Sequence, residues 1–218
     1  MDRSKWLFLP EGIVLLTVGV VVTLASYFIF DWPFAIIPLL FVLFTLYFFR
    51  NPEREINASE LEVLSPADGR VLSIEEVYED RYMNMQSIKV SIFLSVFNVH
   101  VNRSPIQGIV EYIHYQPGQF LPAFKGHASE INERNYVGIK NSENPARKVL
   151  VVQITGFIAR RIVCWVKTGR VLAQGERFGM IKFGSCTVVY LPVGSEILVS
   201  EGQTVRGGTT VIGRMTDG

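Results

Sequence analysis

Two apolar runs near the N-terminus constrain this chain more than any other feature. They extend over residues 13–30 and 34–49, and a short Asp-Trp-Pro break separates them. Each run is close to the roughly 17–25 residues that a helix needs to cross a bilayer. Because the break is so short, the two runs predict a transmembrane helical hairpin, and we assign residues 1–50 to a membrane anchor.

The charges beside the two runs predict how the anchor is oriented. Arg3 and Lys5 precede the first run, Arg50 and Arg54 follow the second, and only Asp31 lies between them. Basic residues next to membrane helices concentrate on the cytoplasmic side. We therefore expect a cell-membrane protein whose bulk lies on the cytoplasmic face. A secretory signal peptide is the alternative, but no small-residue cleavage site follows the first run.

The rest of the chain has the pattern of a β-rich domain. Residues 51–60 are polar and predict a linker, and from there on short β-prone runs alternate with Gly, Pro and Asn. The stretch 157–166 mixes Ile, Ala and Arg and predicts a short helix. Residues 198–208 resemble the turn of lipoyl-type hammerhead sandwiches. We expect a mainly β (α+β) single domain over residues 61–218, a hammerhead-like half-barrel sandwich built from both its ends.

Charge and cysteine content exclude several function classes. The 218 residues carry a formal net charge of only +1, so no strong field attracts nucleic acid. Cys164 and Cys186 have no second Cys or His at the spacing of zinc ligands. Two thiols without the pattern of a secreted domain favour a reducing compartment. We expect no nucleic-acid partner, no metal and no disulfide.

The Gly-Ser peptide bond at positions 184 and 185 could undergo an unusual intramolecular reaction. Glycine leaves the carbonyl carbon of Gly184 open to attack, and the Ser185 hydroxyl follows it directly. Attack would turn the amide into an ester by an N-to-O acyl shift. Elimination would then release a carboxyl end at Gly184 and leave dehydroalanine, which hydrolyses to ammonia and a pyruvoyl group. The dipeptide alone is a weak signal, because most Gly-Ser pairs are turns.

Four motifs in a fixed order give the Gly-Ser bond its context. They are Ser-Pro-Ala-Asp-Gly at 65–69, Phe-Leu-Ser-Val-Phe-Asn-Val-His-Val-Asn-Arg-Ser-Pro at 93–105, Asn-Glu-Arg-Asn at 132–135 and Arg-Phe-Gly-Met-Ile-Lys-Phe-Gly-Ser at 177–185. In this order and spacing the motifs resemble the phosphatidylserine decarboxylase family, in its short, membrane-anchored branch. The resemblance covers nearly the whole domain.

The resemblance implies self-cleavage between Gly184 and Ser185. The large chain, 1–184, would keep the anchor, and the small chain, 185–218, would begin with a pyruvoyl group made from Ser185. The two would form a heterodimer, and exposed strand edges are compatible with a homodimer of the whole. The substrate would be a membrane phospholipid, phosphatidylserine or an archaeal counterpart. Its amine would form a Schiff base with the ketone, and CO₂ would leave.

The resemblance also implies roles for single residues. Ser185 would be the nucleophile and the pyruvoyl precursor. His100 would act as general base in maturation or as proton donor in decarboxylation, since imidazole titrates near neutrality. Asp68 would orient His100. Ordinary structural roles, a satisfied histidine and an Asp-Gly turn, are the alternatives. Longer family members carry a second histidine where this chain has Arg103, so His100 serves both steps or another group assists.

Substrate binding and the competing functions rest on weaker signals. His127, Arg103 and Lys182 are candidates for contacts with the lipid, against the alternative of ordinary surface charge. A membrane-anchored, uncleaved hammerhead-type binding or adaptor protein is the alternative function, because hammerhead carrier domains modify a lysine beside a methionine. A third interpretation is an uncleaved, degenerate family member, given Arg103 and the Cys186 that follows the Gly-Ser pair.

Overall fold

The computed structural model of the chain describes residues 6–121, 131–156, 161–182 and 185–216. The chain forms two compact units, residues 1–53 and residues 54–218. The N-terminal unit is helical, and the larger unit is built from β-strands.

The N-terminal unit contains two consecutive apolar helices. A single 3₁₀ turn at Pro10–Gly12 leads into α1, Ile13–Phe30, and α2 follows at Trp32–Phe48. The segment Pro10–Phe30 has 21 residues and is, among the described residues, the one helix long and apolar enough to cross a membrane. At 1.5 Å per residue it spans about 31 Å. The helix α2 is shorter, with 17 residues.

Asp31 both ends α1 and begins α2. Its backbone N–H donates to the Tyr27 carbonyl at 3.0 Å, and its carboxylate accepts the Trp32 N–H at 2.7 Å. Its φ of 79° turns the chain between the helices. Because a capping carboxylate and a proline in the first turn favour helix initiation, α2 begins two residues before the predicted run.

The larger unit is formed by short strands. In the described residues they are, in chain order, β1 Glu62–Leu64, β2 Gly69–Glu79, β3 Met85–Leu94, β4 Val101–Arg103, β5 Gly108–Gln116, β6 Arg134–Lys140, β7 Lys148–Thr155, β8 Arg161–Cys164, β9 Val171–Leu172, β10 Arg177–Lys182, β11 Ser185–Pro192, β12 Glu196–Ile197, β13 Thr204–Val205 and β14 Val211–Arg214.

The large sheet has the strand order β13-β2-β3-β11-β7-β6-β5-β9, and its described pairs are antiparallel. Both ends of the domain meet in pairs of strands, because β13 pairs with β2 and β14 pairs with β1. The predicted mainly β, half-barrel-like fold is therefore confirmed. The strand β11 lies in the interior of the sheet, between β3 and β7.

The strands β4, β10 and β8 form a small sheet, in that order. One of its strands lies where the sequence predicted a helix. The helix expected at 157–166 is wrong for the described part, since Arg161–Cys164 is the strand β8; residues 157–160 lie outside the described residues. The strand pairs with β10 from Arg161 opposite Lys182 to Cys164 opposite Gly179. A neighbouring strand supplies backbone partners here, and the branched Ile162 and Val163 suit a strand.

The interior strands β7 and β11 are buried along most of their length on both faces, which explains their long apolar runs. Along β11, Val189 faces the main core cluster, whereas Val188 and Cys186 face a second cluster. Along β7, Val151 belongs to the first cluster and Val152 to the second. The alternation places Ser185 and Thr187 of β11, and Gln153 and Thr155 of β7, on the face of the main core.

Candidate active site

Ser185 lies where three interior strands of the large sheet begin or end. Ser185 is the first residue of β11 and lies opposite Leu94, the last residue of β3, and Thr155, the last residue of β7. Ser185 is fully buried, with 0% exposure, and its Oγ has no hydrogen-bond partner among the described residues. Gly184, predicted on the other side of the scissile bond, lies outside the described residues.

Strand register brings His100 to the same place. Asn102 Nδ2 donates to Thr187 Oγ1 at 3.0 Å and so joins β4 to β11. His100 precedes Asn102 by two positions, as Ser185 precedes Thr187, and side chains two positions apart share a face.

The strands that carry His100 and Ser185 lead toward the same place. The pairing of β4 with the antiparallel β10 continues to His100, whose carbonyl accepts the Ile181 N–H at 3.1 Å. Lys182 ends β10, and Ser185 begins β11. Both two-residue steps therefore lead toward the junction of β10 and β11, and we infer from them that His100 and Ser185 are directed to the same junction.

The imidazole of His100 is held by a tight turn. His100 is 1% exposed, and its Nδ1 lies 2.9 Å from the Asn98 carbonyl oxygen. The turn is fixed by Asn98 Oδ1, which accepts the backbone N–H and the hydroxyl of Ser95 at 2.9 and 2.8 Å. Because a carbonyl oxygen only accepts, Nδ1 carries the proton in the neutral ring. Nε2 is then the basic nitrogen.

Asp68 belongs to an ion pair that the sequence did not predict. Arg54 donates to both carboxylate oxygens, at 2.5 and 2.8 Å, and the Gly207 N–H donates to Oδ1 at 2.8 Å. The two charged side chains are only 11% and 13% exposed. The loop before Asp68 touches β4, since Arg103 N–H donates to the Pro66 carbonyl at 2.9 Å. Asp68 thus lies near β4 and is bound by Arg54.

Arg103 is close enough to Asp68 to interact with its charge. By the alternation along β4, its side chain lies on the face opposite to that of His100 and Asn102. It is 5% exposed, and its Nη1 donates to the Gly175 carbonyl at 3.0 Å. Burial, with the nearby charges of Arg177 and Arg54, lowers the pKa of Arg103 to about 10. The guanidinium therefore stays charged at neutral pH and cannot act as the base that a histidine would provide here.

The remaining predicted contacts have mixed positions. Lys182 is the last residue of β10, directly before the site junction, and is half-buried. His127 lies outside the described residues. His114, which the sequence indicates as a structural residue, is exposed on β5; its ring stacks on Tyr112 at 6.2 Å and is tilted against Tyr136 at 6.1 Å between centroids. Among the described residues, no group of His, Cys, Asp or Glu could hold a metal ion.

Two cysteines flank this region without taking part in a disulfide. Cys186 follows Ser185 but faces the second cluster, and burial raises the pKa of its thiol to about 12. Burial also raises the pKa of Cys164. A neutral thiol is a poor nucleophile, so Cys186 does not compete with Ser185.

Sequence reasoning missed a set of buried amides beside the site. Asn135 belongs to the Asn-Glu-Arg-Asn motif, and Asn102 belongs to the motif of His100, yet no role followed from either motif. The structure joins both through Gln153, which is 0% exposed. A glutamine within the apolar run Lys-Val-Leu-Val-Val-Gln-Ile-Thr was the available signal, because a polar residue on a buried strand needs a partner.

Comparisons with known proteins assign this β domain to the decarboxylases. The sequence model of the family described as "Phosphatidylserine decarboxylase" matches residues 41–213. The chain is 57% identical over 202 residues to the phosphatidylserine decarboxylase proenzyme of Carboxydothermus hydrogenoformans, covering 92% of each chain. It is 48% identical over 199 residues to the proenzyme of that name from Symbiobacterium thermophilum, covering 91% of this chain and 92% of the relative.

A third proenzyme of the same name, from Syntrophus aciditrophicus, is 45% identical over 204 residues, which cover 93% of this chain and 95% of the relative. The chain belongs to the phosphatidylserine decarboxylase family. The family predicted from the four motifs, and the enzyme class that it implies, are confirmed. All three relatives carry the word proenzyme in their names.

Proposed function

We propose that this chain decarboxylates phosphatidylserine, or the corresponding archaeal lipid, after cutting itself between Gly184 and Ser185. The observation that carries the proposal is the Ser185 hydroxyl, which is buried without a partner among the described residues. The strand register directs the buried His100 toward the same junction. A buried hydroxyl without a hydrogen bond lowers stability by about 1–3 kcal/mol. Such a group in a native structure calls for a chemical explanation.

His100 is the proposed base for the first step. Its Nδ1–H is held by the Asn98 carbonyl, so Nε2 can accept the Ser185 proton. The hydroxyl oxygen bonds to the Gly184 carbonyl carbon, the amide C–N bond breaks, and the proton passes to the Ser185 nitrogen. Loss of the Ser185 Cα proton then breaks the Cβ–Oγ bond of the same residue, with the Gly184 carboxylate as the leaving group. This releases Gly184 as a carboxylate and leaves dehydroalanine, from which water displaces ammonia.

The surroundings of Ser185 fit the pyruvoyl group that would result. Its two strand neighbours, Leu94 and Thr155, are uncharged and buried, as suits a small neutral ketone. When formed, this ketone supplies the electron sink for loss of CO₂ from the headgroup. His100, beside it, would deliver the proton that replaces CO₂. Asp68 would act on His100 only through the loop and β4, because Arg54 binds both of its oxygens.

The headgroup contacts are proposed at the same junction. Lys182, at the end of β10, is the candidate for the lipid phosphate, since an ammonium on a flexible stem can reach an anion. Arg103 would act from behind β4, as a buried positive charge. His127 stays a candidate from the sequence.

The membrane location is part of the proposal. Both N-terminal helices expose large apolar side chains, such as Val14 at 72%, Phe28 at 79% and Ile37 at 78%. Surfaces of this kind need an apolar environment. We propose that residues 1–50 anchor the chain as a transmembrane hairpin and that the domain at residues 61–218 works on the cytoplasmic face, as the flanking basic residues indicate.

The intact masses of the purified protein and of a Ser185→Ala variant test the function. The wild type is expected to yield a fragment of residues 1–184 and a fragment of residues 185–218 with a blocked N-terminus, and the variant to stay whole. Wild-type membranes should release CO₂ from phosphatidylserine, and variant membranes should not. A wild type that remains one chain after long incubation with detergent and lipid would contradict the proposal.

A further inference from the structure

A chain of buried side-chain amides links four strands next to Ser185. Asn135 Nδ2 on β6 donates to Gln153 Oε1 on β7 at 2.9 Å. Gln153 Nε2 donates to Asn102 Oδ1 on β4 at 2.9 Å, and Asn102 Nδ2 donates to Thr187 Oγ1 on β11 at 3.0 Å. The exposure of these side chains is between 0% and 3%.

Each member of this amide chain is fixed by the next. Asn102 uses its oxygen for Gln153 and its nitrogen for Thr187, so a flip of the Asn102 amide alone would set its Nδ2 donor against the Gln153 Nε2 donor. Gly179 of β10 has no side chain, which leaves room for the Gln153 amide. A Cβ there would lie 2.9 Å from Gln153 Nε2 and 2.5 Å from the Val163 carbonyl oxygen. The amide chain therefore allows one register between the small sheet and the large one.

Stability alone does not explain these polar side chains. Their neighbours on the same face, such as Val151 and Val189, are apolar and belong to the main core. Burying an amide is costly unless every partner is present, and an apolar residue of the same shape would be as stable. A fully connected polar network instead specifies a single arrangement.

We propose that the hydrogen bond from Asn102 to Thr187 is the positioning contact of the active site. It holds β4 against β11 so that His100 faces the Ser185 hydroxyl, and Gln153 and Asn135 hold Asn102 in turn. The inference rests on the proposed self-cleavage. It assigns Asn102 and Thr187 to positioning, and the chemistry stays with His100 and Ser185.

The need for such a contact follows from Ser185 itself. Its hydroxyl has no partner among the described residues, so no hydrogen bond there orients it toward the base. The alignment of the two groups must come from the strands that carry them. A misplacement of about 1 Å lowers rates by roughly 100-fold when two groups must react.

Three variants of the full-length protein separate positioning from stability. Thr187→Val keeps the shape and removes the acceptor, whereas Thr187→Ser keeps the hydroxyl. Ser87→Ala is the matched control, because Ser87 is also fully buried on β3, its hydroxyl donates to the Met85 carbonyl at 3.1 Å, and it lies opposite Pro192 at the far end of β11. The measurement is the rate constant of self-cleavage, followed by intact mass, together with the melting temperature.

The valine variant is expected to cleave about 100-fold more slowly than the wild type. The serine variant should cleave at nearly the wild-type rate, and the Ser87→Ala protein should cleave normally even where its melting temperature falls. If Thr187→Val does not fold, Thr187→Cys, a small residue whose sulfur accepts hydrogen bonds poorly, takes its place and should also be slow.

The outcomes distinguish this inference from the function on which it rests. A wild type that never cleaves overturns the proposed self-processing and with it the positioning role. A cleaving wild type with an equally fast, folded Thr187→Val or Thr187→Cys variant overturns the positioning role alone. Slow cleavage in Ser87→Ala as well would assign the effect to general destabilisation and would likewise overturn it.

Discussion

At the scale of residues, Ser185 and Cys186 show how a strand separates two neighbouring nucleophiles. Ser185 faces the main core, and Cys186 faces the second cluster, where burial raises the pKa of its thiol to about 12. The folded protein therefore keeps this thiol protonated between its ordinary value of 9.0 and about 12. The unfolded chain loses the proton in that range, so this group lowers stability as pH rises above about 9.

Labelling with a maleimide at pH 9 checks this prediction. In a Cys164→Ser variant, the Cys186 thiol of the native protein should react far more slowly than the same thiol in denaturant, because only the thiolate is nucleophilic. Mass spectrometry over time gives both rates. Labelling of the native protein as fast as that of the unfolded chain would show that the thiol is neither buried nor neutral.

The sequence indicated Ser185 and His100 as candidates because both stand in short motifs with a recognisable residue type and spacing. It did not indicate Thr187 and Gln153, since single polar residues inside apolar strands carry no sign of which strand will face them. The ion pair of Arg54 was not predicted for a related reason. The partner Asp68 lies 14 positions away, across a segment whose composition indicates only a linker.

At the scale of elements, the polar segment that precedes β1 is bound to the β domain. Arg54 clamps Asp68, and the Gly207 N–H donates to the same carboxylate. One ion pair thus connects the residues before β1, the loop before β2 and the turn after β13. The stretch at 157–166 shows that a partner strand can override local composition. Its composition favours a helix, but pairing with β10 makes residues 161–164 the strand β8.

The substitution Arg54→Met tests the clamp. It leaves the nearly buried Asp68 without its ionic partner and should lower the free energy of unfolding by about 3 kcal/mol. Arg170→Met is the control, because the ion pair of Arg170 with Glu176 is at the surface, with the arginine 59% exposed. Its loss should change the free energy by about 0–1 kcal/mol. Urea unfolding in detergent gives both values, and equal effects would refute the clamp.

At the scale of the whole molecule, the strand that begins at Ser185 lies inside the large sheet. Residues 185–216 supply β11, β12, β13 and β14. In the described ladder, β11 pairs eight residues with β3 and six with β7. The segment also closes the domain through β13 on β2 and β14 on β1. The sequence indicated this joining of the two ends, but not that the strand after the proposed cleavage site is interior.

A cut between Gly184 and Ser185 should therefore leave the two chains associated. The new end at Ser185 would be the first residue of β11, so the small chain would keep its ladders with β3 and β7 and its share of the main core, including Val189 and Leu191. Size-exclusion chromatography in detergent should show both fragments in one peak, at the position of the uncleaved Ser185→Ala variant. Denaturant should be needed to separate them, because leaving would expose an interior strand and its apolar side chains on both faces. A small chain that elutes alone under native conditions would contradict the interior position of β11.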